Sequence, residues 1–194
     1  ILRKNVNNEV LFVASYIVGA EVMLRMTDGM FINEYAKYNV ILLMILGMIY
    51  SGFSKFSFPY WIFLIFLIPG ILYGINQLNF DTNVRKAIAF NISGPVTLGI
   101  ASLYCFDRKV TFNQVKIIIK SLGYPIIAIT TYLFLYTPSV KDVVVGTYSN
   151  FETSGGFGPN QMATILGLGT FVFFFNTVFN SPTKKIQIVN LIIA

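Results

Sequence analysis

Two pairs of ionisable residues stand at the ends of apolar runs, where charges are costly and often functional. Glu21 and Arg25 are four residues apart, so on a helix they share a face and can form an ion pair. This arrangement fits either a self-neutralising pair or a guanidinium that binds an anion. Arg85 and Lys86 open another apolar run, where the positive end of the helix dipole disfavours cations. An anionic ligand would compensate them, although they can also mark a membrane surface beside Asp81.

A glycine-rich segment supplies a third feature. Residues 154–161 read Ser-Gly-Gly-Phe-Gly-Pro-Asn-Gln and lead directly into an apolar run. Glycine permits close backbone approach and proline suits the first turn of a helix, so the segment would present main-chain N–H groups to a phosphate. It can equally be a turn that only redirects the chain. We predict that the three features converge on one anionic group, bound by Arg25, Arg85, Lys86, Gly156, Gly158 and Asn160.

The composition excludes several kinds of chemistry. The chain of 194 residues has no histidine and one cysteine, Cys105, so it offers no His/Cys metal site, no histidine-dependent triad and no disulfide within the chain. We expect neither a metal nor another cofactor. The net charge of +6 is distributed in ones and twos at the ends of apolar runs rather than in a basic stripe, which argues against nucleic acid as a partner.

The elements that must position these residues are membrane-spanning helices. The chain is 55% hydrophobic and 11% charged, against about 25% charged in soluble domains. Its long apolar runs predict an all-α, polytopic transmembrane helical bundle that forms a single domain, 1–194. We expect six complete spans plus the start of a seventh, at residues 10–24, 40–53, 58–75, 88–106, 117–136, 162–179 and 186–194.

The distribution of lysine and arginine predicts the orientation. If the six spans alternate, most of the 14 lysines and arginines lie on the side of the amino terminus. The basic side of a multi-pass protein is cytoplasmic, so we expect a cytoplasmic amino terminus. The longest loop, residues 138–160, would then face outward, together with Arg25, Arg85 and Lys86.

A lipid-linked diphosphate fits these outward features. Its hydrocarbon tail would lie against the bundle, while its charged head would meet guanidinium and ammonium groups at the interface with membrane lipids. An alternative from another class is a small-anion transporter or channel, in which the same cations form an entrance. A membrane scaffold without chemistry is a third interpretation.

Three segments carry a family resemblance. They read SGGFGPNQMATILGLG (residues 154–169), YIVGAEVMLRMT (16–27) and VRKAIAFNISGPVTLGIASLY (84–104), and the first is the most specific. Together they resemble bacterial O-antigen ligase and O-antigen polymerase membrane proteins, most nearly the Bacteroidetes-type branch. The resemblance implies an inner-membrane glycosyltransferase with its active face in the periplasm. Such enzymes move a glycan from undecaprenyl diphosphate to lipid A-core or to a second lipid-linked glycan, without a nucleotide sugar or an obligatory metal.

The resemblance also implies residue roles. Arg25, Arg85 and Lys86 match the diphosphate ligands in kind and side, and Pro159-Asn160 matches the family's Pro-Asn element. An arginine that often precedes this element is absent here, and the acceptor-activating histidine of the family has no counterpart. We therefore expect an N-terminal and middle portion of a longer protein, inactive alone, with the catalytic residues beyond its last residue.

Overall fold

In a computed structural model of the chain, the regular secondary structure of the described residues is entirely helical. The structure describes residues 4–32, 34–77, 84–136, 154–155 and 158–194. Within these ranges there are seven α-helices, 3-10 conformation at Lys55–Ser57 and at Ser154, and no β-strand. The α-helices are α1 (Glu9–Met26), α2 (Tyr35–Ser51), α3 (Phe58–Gln77), α4 (Val84–Cys105), α5 (Phe112–Tyr136), α6 (Pro159–Phe179) and α7 (Lys184–Ile193). The predicted all-α class is confirmed.

Among the described residues, four helical stretches are long and apolar enough to cross a membrane. They are Lys55–Ile75, Lys86–Cys105, Phe112–Tyr136 and Pro159–Phe179. The shortest has 20 residues, and a helix of that length rises about 30 Å, the thickness of a hydrocarbon core. These helices are compatible with a membrane protein.

The remaining helices differ from these four. α1 has 18 residues but includes Glu9, Glu21 and Arg25. α2 is apolar but has 17 residues, and α7 has 10. Six complete spans therefore remain a prediction, because α1 is more charged and α2 shorter than the four long stretches.

Several helices begin earlier than the predicted spans. α2 starts at Tyr35 instead of residue 40, and α5 starts at Phe112 instead of residue 117. The apolar run indicates which residues of a helix suit the hydrocarbon core of a membrane. The helix itself is longer, because its main-chain hydrogen bonds continue through the flanking polar residues. At α5 the earlier start has a local cause: Thr111 Oγ1 accepts from Gln114 N at 3.3 Å, and Gln114 Oε1 accepts from Thr111 N at 2.9 Å. This reciprocal capping box fixes the first turn of the helix.

The chain divides into two compact units. Unit 1 comprises Ile1–Ala14 and Glu34–Val110, and unit 2 comprises Ser15–Asn33 and Thr111–Ala194, so that α1 contributes to both. In unit 1, α4 packs against α2 and α3; in unit 2, α6 packs against α5 and α7. The single transmembrane domain remains a prediction.

Within each unit, helices approach one another closely at glycines. In unit 1, a Cβ added to Gly47 of α2 would lie 2.5 Å from the ring of Tyr104 in α4. In unit 2, a Cβ on Gly169 of α6 would lie 2.7 Å from Ile126 Cγ2 in α5. Lipid tails are as apolar as leucine, so membrane helices associate through such close van der Waals packing.

We expect Gly47→Ala to lower the free energy of unfolding by about 1–3 kcal/mol through overpacking. Tyr104 cannot easily move aside, because it is fully buried and its hydroxyl accepts a 2.8 Å hydrogen bond from Asn5 Nδ2. Gly70→Ala is the matched control, since nothing lies within 4 Å of a Cβ at this helical position. That variant should be neutral or gain up to about 1 kcal/mol. Thermal unfolding in detergent measures both, and equal melting temperatures would contradict the close packing.

Candidate anion-binding site

Glu21 and Arg25 form the ion pair that their spacing predicts. Arg25 Nη2 donates to Glu21 Oε1 at 2.7 Å, and both side chains are partly buried. The pair lies in the last two turns of α1, where the negative end of the helix dipole also favours a cation. The guanidinium is therefore held in place at this end of unit 2, with a carboxylate that compensates its charge.

The glycine-rich segment ends in the start of α6. Gly158 is the N-cap residue and Pro159 is the first residue of the helix. Gly158 O accepts from Gln161 N at 3.1 Å and from Met162 N at 3.0 Å, which closes the first turn. Gly156 lies outside the described residues, and Asn160 is exposed. The helix begins at the Gly-Pro step, three residues before the predicted span of 162–179.

Unit 2 brings the end of α1 and the glycine-rich segment together. A Cβ added to Gly155 would lie 3.0 Å from Met26 Cε and 3.0 Å from Leu133 Cδ2, so Gly155 lies against the ends of α1 and α5. Met26 also packs, with other residues near the end of α1, against the buried cluster that includes Met162 of α6. Arg25, which precedes Met26, and the start of α6 therefore lie at the same end of unit 2.

Arg85 and Lys86 belong to unit 1. Both lie in the first turn of α4, and the Lys86 side chain is exposed. The side chain of Arg85 lies outside the described part of the chain, so its role as a ligand of the anion stays a prediction. Because these cations and Arg25 belong to different units, their convergence on one anionic group remains a prediction.

A buried polar cluster in unit 1 adds a cation that is not among the predicted site residues. Glu34 is 5% exposed, and its Oε2 accepts from Lys37 Nζ at 2.8 Å and from Ser93 Oγ at 3.4 Å. Lys37 Nζ also contacts Ser93 Oγ at 3.2 Å and lies 5.7 Å from the centre of the Phe90 ring. The i,i+3 spacing of Glu34 and Lys37 is the sequence signal that would have pointed to this pair.

The cluster and Lys86 occupy one face of α4. Lys86, Phe90 and Ser93 are separated by four and three residues, so they follow one another along the helix surface. Lys37 reaches this face from α2, near the ring of Phe90, which is 61% exposed. This face of unit 1 therefore combines Lys86 in the first turn of α4, the exposed ring of Phe90 one turn later, and Lys37 of α2 near that ring, a surface suited to an anion with an apolar tail.

The chain matches no protein-family model, no curated protein and no solved structure. The resemblance to the O-antigen ligase and polymerase family therefore remains a prediction that depends on the three sequence segments.

We expect Gly155→Ala to destabilise the protein by about 2 kcal/mol or more, because alanine pays for a left-handed backbone conformation. Gly155 has a φ of +69°, and the added methyl group would press on Met26 and Leu133. Gly158→Ala is the matched control, since its φ is −55° and the nearest atom to an added Cβ is 3.7 Å away. That N-cap change should cost less than about 1 kcal/mol. Denaturant titration measures both, and a stable Gly155→Ala variant would argue against this turn.

Proposed function

We propose that the full-length protein is a membrane glycosyltransferase of the ligase or polymerase type. It moves a glycan from undecaprenyl diphosphate to lipid A-core or to a second lipid-linked glycan during O-antigen assembly. In this proposal the chain crosses the bacterial inner membrane with six complete spans and the start of a seventh. The amino terminus is cytoplasmic, and the loop of residues 138–160 is periplasmic.

The observation that carries the proposal is the placement of Arg25 and the glycine-rich start of α6 at the same end of unit 2. Arg25 is held by Glu21 at 2.7 Å, and Gly158 caps α6 without a side chain of its own. A guanidinium and the positive end of a helix dipole are both suited to phosphoryl oxygens. Pro159 has no N–H and Gln161 N donates to Gly158 O, so α6 contributes its dipole and the main chain around Asn160. Their common location supports a diphosphate as ligand. In the proposal, Gly156, Gly158 and Asn160 also bind this group.

The first turns of α4, considered within unit 1 alone, offer groups that suit a ligand of the same chemistry. Lys86 offers an exposed ammonium group, and the exposed ring of Phe90, near Lys37, offers an apolar contact. A polyprenyl diphosphate combines these two chemistries in one molecule, because its head is anionic and its tail is hydrocarbon. In the proposed site, Arg85 and Lys86 bind the diphosphate while Phe90 contacts the first part of the tail.

The proposed reaction is displacement at the anomeric carbon of the donor. An acceptor hydroxyl oxygen forms the new bond to this carbon, and the bond from the carbon to the diphosphate oxygen breaks. The electron pair of the broken bond leaves with the diphosphate, so fixed cations accelerate the step by stabilising the developing charge. The acceptor proton passes to a general base.

Replacement of the α4 cations tests the assignment in the complete gene. Arg85→Ala and Lys86→Gln should each reduce surface polysaccharide at least about tenfold, as the loss of a charge-stabilising donor does in other enzymes. Lys185→Gln is the matched control, because it removes one exposed ammonium group from α7. Gel analysis of extracted polysaccharide measures the product, and membrane fractionation verifies insertion. Normal polysaccharide in an inserted Arg85→Ala variant would count decisively against the proposal.

A reconstituted assay separates this enzyme from a small-anion transporter or channel. The full-length protein is reconstituted into proteoliposomes with a lipid-linked glycan donor and an acceptor. We expect a glycosylated acceptor to form. A transporter would instead move a trapped anion across the bilayer without forming a covalent product. Anion flux in the absence of glycan transfer would favour the alternative.

A further inference from the structure

A polar cleft of about 550 Å³ lies in unit 1, at the opposite end of α2 from Glu34. Its walls come from three chain connections: the segment before α1, the end of α2 with the residues that follow it, and the residues after α4. The cationic lining residues are Lys4, Arg108 and Lys109, and Asp107 is the acidic one. The cleft therefore presents three cations with one carboxylate, and none of these residues belongs to the proposed glycan-transfer site.

Arg108 is fixed by acceptors that carry no charge. Its Nε donates to Tyr104 O at 2.9 Å, its Nη1 to Asn8 Oδ1 at 3.3 Å and its Nη2 to Gly52 O at 2.7 Å. The guanidinium carbon lies 3.9 Å from the centre of the Tyr104 ring. No salt bridge joins Arg108 to any residue in the described ranges. Neutral acceptors orient the guanidinium without cancelling its positive charge, so the cleft keeps an attraction for anions.

The backbone around the cleft is held in an unusual conformation. Four of the five non-glycine residues with positive φ in the described part of the chain line it: Lys4 (50°), Asn5 (57°), Asn8 (59°) and Asp107 (57°). Asn5 and Asn8 are each 7% exposed, and Asn5 Nδ2 donates to Ser51 Oγ at 2.6 Å and to Tyr104 Oη at 2.8 Å. Left-handed conformations persist where surrounding contacts enforce them, and they concentrate at functional sites. The wall of the cleft is therefore preformed.

The position of the cleft indicates the kind of anion. It lies where the apolar stretch Lys55–Ile75 begins and the stretch Lys86–Cys105 ends. Aromatic pairs stand at the same level: Tyr60 with Phe106 at 5.6 Å and Phe53 with Trp61 at 6.1 Å between ring centroids. Tyrosine and tryptophan, here Tyr60 and Trp61, are enriched where a membrane protein meets the headgroup region. A cation-lined cleft at this depth faces lipid headgroups.

We propose that this cleft binds the phosphate headgroup of an anionic phospholipid. Lys4 and Lys109, whose side chains are exposed, contact the phosphate, and Arg108 fixes the wall behind them. The acyl chains lie along the apolar surfaces of α3 and α4, beside the exposed rings of Phe53 and Phe106. The binding is independent of the proposed glycan transfer and uses no residue of that site.

Lipid retention by the purified 194-residue chain tests this site. The protein is exchanged into detergent with phosphatidylglycerol or phosphatidylcholine, and native mass spectrometry counts the lipids that remain bound. We expect preferential retention of phosphatidylglycerol, and a loss of roughly tenfold or more in the variant K4Q/K109Q, because each lysine near an anionic headgroup contributes severalfold to binding. Circular dichroism and gel filtration verify that the variant is folded.

The variant K184Q/K185Q is the matched control, since it removes two exposed lysines from the start of α7 and changes the net charge equally. We expect less than about a twofold effect there, because those lysines do not line the cleft. If both double variants lost phosphatidylglycerol equally, the effect would come from general surface charge and not from the cleft. That result would overturn the proposal. Unchanged retention in K4Q/K109Q, or retention of inorganic phosphate without phosphatidylglycerol, would overturn it as well.

Asp107→Asn gives a test with the opposite sign. Asparagine accepts the φ of 57° at this position and can still bind Ser54 Oγ, which contacts Asp107 Oδ2 at 3.4 Å. The substitution removes the one acidic side chain from the lining. Retention of phosphatidylglycerol should therefore rise severalfold, and a decrease in a folded variant would contradict the placement of the phosphate.

Discussion

The cost of a charge among apolar helices governs where the ionisable residues of this chain lie and what holds them. In unit 2, Arg25 is paired with a carboxylate within its own helix. In unit 1, Lys37 is paired with the buried Glu34, whereas Arg108 is surrounded by two main-chain carbonyls and an amide oxygen. These solutions are not equivalent. A carboxylate cancels the charge that it stabilises, whereas neutral oxygens hold a cation and leave its field available to a ligand.

The helical architecture could be predicted from the sequence because it depends on local pattern. Each predicted apolar run coincides with a helix over most of its length, and the Gly-Pro step marks the start of α6. The helix boundaries could not be predicted from hydropathy alone, because a helix can continue through polar residues that lie outside the apolar run. For α5 the missing signal was also local, since Thr111 and Gln114 have the spacing of a capping box.

The polar clusters could not be predicted in the same way, because they depend on helix packing. Lys37 and Ser93 are separated by 56 residues, and Asn8 and Arg108 by 100. Only the contact of α4 with α2, made close by Gly47, and the folding of the first residues onto unit 1 bring these groups together. A single sequence carries the spacing of Glu21 and Arg25 but not these contacts. The ion pair within one helix was therefore predictable, and the clusters between elements were not.

Charge compensation also distinguishes the cations that are paired with a carboxylate, one in each unit, from the cations of the cleft. Arg25 and Lys37 have carboxylates at 2.7 and 2.8 Å, so they contribute oriented hydrogen-bond donors more than net charge. Donors that are held before a ligand arrives reduce the ordering cost of binding and favour a ligand of defined geometry, such as a diphosphate. The cleft around Arg108 instead offers an excess of positive charge with two exposed lysines. Mobile ions screen such a field strongly at an exposed surface, so the cleft suits a ligand that the membrane itself supplies at high local concentration.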